Sequence, residues 1–76
     1  MKNYVVLFET EEDTEVIKVT TDVVEAQKAF EAQLIEARQI AKDNGWTIEE
    51  EDNYFEAYED GFYDQGHVVV RIEEKE

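Results

Sequence analysis

Between Asp22 and Gly45 the apolar residues Val23, Ala26, Phe30, Leu34, Ala37 and Ala41 recur every three or four positions, which commits this stretch to one amphipathic helix. A strand cannot use that spacing, because it turns its side chains over at every second residue. Asp22 is a suitable N-cap, and Glu25 three residues later completes a capping-box pattern. Gly45, after Asn44, is the residue type that ends a helix in the left-handed conformation. Such a helix has ~22 residues and is ~33 Å long. It needs a matching apolar surface to lie on.

The flanking segments supply that surface as strands. Residues 2–9 alternate, with Tyr4, Val6 and Phe8 on one side and Val5 and Leu7 on the other. After a polar loop, residues 15–20 place Ile17 and Val19 on one face and Val16 and Lys18 on the other. Residues 46–51 read as a third strand with Trp46 and Ile48 inward. Residues 66–74 read as a fourth, with Val68, Val70 and Ile72 on one face and His67, Val69 and Arg71 on the other. Residues 52–65 fit two patterns. Tyr54, Phe55, Tyr58 and Phe62 lie at helical spacing, with Asn53 as a cap and Gly61 as a stop, whereas Tyr54, Glu56 and Tyr58 also alternate. The favoured expectation is a short helix or irregular excursion near 53–60. The expected fold is therefore α+β, in the order β-β-α-β-β. One long helix packs on one face of a mostly antiparallel three- to four-stranded sheet, in a single domain over 1–76. Its core should hold Val6, Phe8, Val19, Phe30, Leu34, Trp46 and Val70.

Charge narrows the function. Twenty-one acids face seven bases, for a net of −14. Leu, Ile, Val and Phe still make up 20 of 76 residues, above the ~20% below which high charge signals disorder. Seven scattered bases cannot hold a phosphate backbone, so direct nucleic-acid binding is excluded. No apolar run approaches the ~20 residues needed to span a bilayer. There is no cysteine, and the start of the chain lacks a secretory leader pattern. A cytoplasmic protein is expected.

Catalytic chemistry finds little to use. His67 is the only histidine, and serine is absent, so a general base would lack a nucleophile to activate. The three glycines are scattered and form no phosphate loop. A calcium loop starting at Asp52 would need an oxygen ligand at its third position, glycine at its sixth and glutamate at its twelfth. The chain has Tyr54, Ala57 and Tyr63 there. No enzyme activity, cofactor or metal site is expected.

Two features stand above this background. From Asp43 to Val70 there are nine acids and no lysine or arginine, and five of the nine aromatics fall within residues 54–63. Tyrosines interleaved with acids describe a binding surface for a basic protein. The expected contact residues are Glu49, Glu50, Glu51, Asp52, Tyr54, Glu56, Tyr58, Glu59 and Asp60. Glu49 and Glu51, ~6.6 Å apart on one strand face, repeat negative charge in the manner of a phosphate backbone. The size and charge resemble those of small phage-encoded inhibitors of restriction or CRISPR nucleases. That resemblance lies in composition alone, rests on no motif and assigns no residue roles. The reading is an acidic protein-binding domain acting as a nucleic-acid mimic, an inhibitor of a DNA- or RNA-binding protein such as a phage-defence nuclease. The alternative is a small structural or adaptor protein, with the acids as a solubilising coat. It would self-associate, for example as a homodimer, through Val24 and Ile35 on the far side of the helix.

Overall fold

The computed structural model describes residues 2–59 and 66–76. It is α+β: β1 (Asn3–Thr10), β2 (Thr14–Thr20), α1 (Val23–Asn44), β3 (Thr47–Glu51), β4 (Tyr54–Tyr58) and β5 (His67–Lys75). All five strands form one antiparallel sheet in the order β2-β1-β5-β4-β3. Two hairpins, β1–β2 and β3–β4, thus flank β5, which pairs with both and lies at the centre. Among the described residues, no helix is long and apolar enough to cross a membrane.

The helix ends follow from their residues. The Asp22 carboxylate accepts the backbone N–H groups of Val24 (2.8 Å) and Glu25 (3.4 Å). The reciprocal half of the capping box is supplied differently from the expectation. The Asp22 N–H donates to the Thr20 hydroxyl at 3.0 Å, so the residue before the turn does the work expected of Glu25. At the other end Gly45 takes φ 69°. Its N–H donates to the Lys42 carbonyl, and the Trp46 N–H donates to that of Ala41. This is the paired bonding of a Schellman cap.

Ala26, Phe30, Leu34, Ala37 and Ala41 bury the helix stripe against Val6, Phe55, Ala57, Val68 and Val70. Tyr4, Phe8, Ile17, Trp46 and Ile72 pack around this centre, partly buried. The three alanines let the helix lie close to the sheet, and Phe30 and Leu34 fill the space between. Gly66 is held for a related reason: a Cβ there would lie 2.5 Å from the Trp46 ring, so the indole occupies the place of a side chain.

Five further expectations are corrected. The sheet has five strands instead of three or four, because residues 54–58 form β4 and no short helix exists over the described part of 53–60. Asn53 adopts φ 63°, a left-handed conformation that asparagine tolerates. It closes the two-residue Asp52–Asn53 turn that sets Glu51 opposite Tyr54. Val19 is 62% exposed instead of buried. The β1–β2 register shifts between Val6 and Leu7, which pair with Lys18 and Val16. The extra residue, Ile17, turns into the core, and Val19 falls opposite Val5 on the other face. Val23 begins the helix beyond the edge of the core and is 49% exposed. Ile48 is on the helix side, opposite Ala57, but β3 is an edge strand of the sheet and Ile48 is exposed there.

The net charge of −14 opposes this compact state. Screening relieves summed repulsion more than it weakens the few ion pairs, so the melting temperature should rise from ~0.02 M to ~0.5 M salt. Each ~1 kcal/mol regained is worth roughly 4–8 °C in a chain of this size. A lower melting temperature in high salt would show that specific pairs outweigh the repulsion.

Candidate protein-binding surface

Among the described residues, no helix or strand packs on the sheet face turned away from α1. The strand registers arrange its side chains in rows. One row runs Val16, Leu7, Arg71, Tyr54, Glu51 from β2 to β3, and the next runs Thr14, Glu9, Val69, Glu56, Glu49. A third carries His67, Tyr58 and Thr47. The face is graded, with valines on the β2 side and carboxylates with tyrosines on the β3–β4 side. Leu7 and Val69 are buried within it.

The expected contact residues separate on this lattice. Glu49, Glu51, Tyr54, Glu56 and Tyr58 share the open face, and a shallow hollow of about 410 Å³ is lined by Glu49, Glu50, Glu51, Tyr54 and Glu56. Glu50 lies opposite Phe55 on the helix side, where its carboxylate accepts from Arg38 of α1. Asp52 lies in the β3–β4 turn, and Glu59 is exposed just beyond β4, its N–H donating to the Gly66 carbonyl at 3.0 Å. Asp60, like Phe62 and Tyr63, lies outside the described residues.

Glu49 and Glu56 are directly opposed across β3 and β4. Like charges in that relation are destabilising. Glu51 is opposite Tyr54, so no cation on β3 or β4 relieves them. Tyr54 is held beside Glu56; burial raises its phenol pKa above the ordinary value, and the adjoining carboxylate adds to this.

Sequence reasoning did not find the ionic centre of this face. Arg71 donates from Nη1 to Glu9 (2.8 Å) and from Nε to Glu73 (3.0 Å). Lys75 lies 3.1 Å from the other Glu73 oxygen, and His67 Nε2 lies 3.7 Å from Glu9. The Arg71 hydrogen bond holds the Glu9 carboxyl below its ordinary pKa. The same donor, with Lys75, lowers Glu73, and these two acceptors raise Arg71. Glu11 is also lowered, by backbone N–H groups that include that of His67. Arg71 and Glu9 are 62 residues apart in sequence, so only the β1–β5 register brings them together. A carboxylate lowered on folding stabilises the fold above its unfolded pKa and loses that contribution as pH falls through its folded value. Arg71→Met should therefore lower the melting temperature most near pH 7. The gap from the parent protein should shrink below about pH 4. A gap of constant size across that range would remove Arg71 as the cause.

Among the described residues, no group of three or more histidines and carboxylates is placed to hold a metal ion. Within the segment considered as a calcium loop, Tyr54–Tyr58 forms β4. Comparison of the chain with protein-family models, with curated proteins and with solved structures returns no match.

Proposed function

We propose that this chain is an acidic protein-binding domain that occupies the basic groove of a nucleic-acid-binding protein through the β3–β4 end of its open sheet face. The observation that carries this reading is the Glu49–Glu56 pair, with Glu51 in the neighbouring row. A lysine at either position of the pair would gain roughly 0.2–1 kcal/mol from a cross-strand ion pair. A sequence that forgoes this gain and adds a third acid alongside is arranged for a cation that comes from outside. Local rules are most often broken at functional sites. Tyr54 and Tyr58, alternating with Glu56, add rings that can pack on arginine stems and guanidinium planes.

The test is affinity capture with the purified protein as bait, followed by elution with nucleic acid. Nucleic-acid-binding proteins should be recovered, released by competing nucleic acid and released by salt. Recovery of proteins that nucleic acid does not displace would count against mimicry.

Self-association rests on the exposed Val24 and Ile35 of the helix and on Val16 and Val19 of the sheet. These pairs lie on opposite sides of the molecule and form no common patch, and two copies at −14 each repel. Sedimentation should return a monomer mass at low salt.

A further inference from the structure

We infer that the acidic sheet face imitates a single nucleic-acid strand instead of a duplex, so that its partner is a groove built for unpaired nucleotides. This inference rests on the proposed function and names its partner class.

The molecule is elongated, 42 × 19 × 17 Å. The whole chain carries −14, and 42 Å divided by 14 is 3.0 Å per charge. Without Asp60 and Asp64, which lie outside the described residues, the net is −12, and 42 Å divided by 12 is 3.5 Å. Duplex DNA carries a charge every ~1.7 Å of axis, and one strand carries a charge every ~3.4 Å. Averaged over all faces of the molecule, this density is that of one strand and about half that of a duplex; on the open face itself Glu9, Glu49, Glu51, Glu56 and Glu73 stand with Arg71 and Lys75, and the uncompensated acids gather at the β3–β4 end.

A duplex keeps its bases stacked inside, and proteins that read it meet phosphates and base edges. A surface imitating it has no use for aromatic rings among its acids. Proteins that hold single strands do the reverse: they pair a basic groove with aromatic and arginine side chains on which successive bases stack. On β4 the open face presents Tyr54, Glu56 and Tyr58 in alternation, with Glu51 and Glu49 alongside on β3. Same-face neighbours on a strand are ~6.6 Å apart. The carboxylates stand where phosphates would meet the groove's cations, and the phenol rings stand where bases would meet its stacking side chains.

The inference is tested by competition. The protein is titrated against an OB-fold single-strand-binding protein holding fluorescent oligothymidylate, and against a helix-turn-helix protein holding a fluorescent duplex operator, at equal low salt. Oligothymidylate should be displaced at protein concentrations about tenfold or more below those that displace the duplex. Equal or preferential displacement of the duplex overturns the inference and leaves the broader mimicry standing. Displacement of neither overturns it as well, and the capture experiment decides the broader reading separately. Tyr54→Leu and Tyr58→Leu keep every charge, and thermal melts verify their folds. Each should weaken displacement of oligothymidylate by roughly 5- to 150-fold, the worth of one stacked ring, with the salt dependence unchanged. Unchanged displacement by both folded variants would overturn the role of the rings.

Discussion

Phe55→Ala should lower the free energy of unfolding by about 3–5 kcal/mol. Phe55 is fully buried and, among the described residues, is the largest side chain to be so. It lies on β4 between Val70 of β5 and Glu50 of β3, in the layer that faces Phe30 and Leu34 of the helix. Truncation leaves a cavity that the close-set alanines Ala26, Ala37, Ala41 and Ala57 cannot fill without moving the helix. A chain of 76 residues has a total stability of roughly 4–11 kcal/mol, so the variant loses a large part of what holds it folded. Ile48→Ala is the matched control. Ile48 lies on the same side of the sheet but is 42% exposed, and its loss should cost less than ~1 kcal/mol. Urea titration of both variants checks this. Equal losses would mean that β4 does not carry the core.

That experiment bears on the part of the fold the sequence conceals. The helix is legible because three independent signals agree: Asp22 as cap, a stripe with one period, and Gly45 as stop. β1 and β5 are legible because apolar residues fall at alternate positions, Tyr4, Val6 and Phe8 in one and Val68, Val70 and Ile72 in the other. β4 is not legible, because Tyr54, Phe55 and Tyr58 satisfy a helical and a strand period at once. The deciding event is the left-handed turn at Asn53, whose only trace is an Asp–Asn pair without the glycine that usually marks such turns. Val19 is misread for a different reason. The bulge at Ile17 belongs to the pairing of two strands and has no signature within either. The candidate site divides in the same way. The placement of Glu49, Glu51, Tyr54, Glu56 and Tyr58 on one face follows from period two. The pairing of Glu50 with Arg38 and the Glu9–Arg71–Glu73 cluster depend on which elements become neighbours, which local pattern does not encode.

Replacing Glu49, Glu51 and Glu56 together by lysine should abolish binding to any partner recovered through this face while leaving the fold intact. Each reversal adds two units, so three change the net charge from −14 to −8, and the general repulsion that opposes folding falls. The local cost is unchanged, because lysines at positions 49 and 56 would again be like charges in opposition, as Glu49 and Glu56 are. A binding loss therefore cannot be attributed to unfolding, and the melting temperature should stay equal or rise. At the interface the change is severe. Attraction to a basic groove becomes juxtaposition of like charges, which costs several kcal/mol, and the affinity should fall by more than ~100-fold. The neutral triple replacement by glutamine removes attraction without adding repulsion, and its affinity should lie between the two. If the acids serve only as a solubilising coat, the lysine variant changes solubility and nothing else. A partner that binds it with unchanged affinity and unchanged salt dependence would rule out this face as the docking surface.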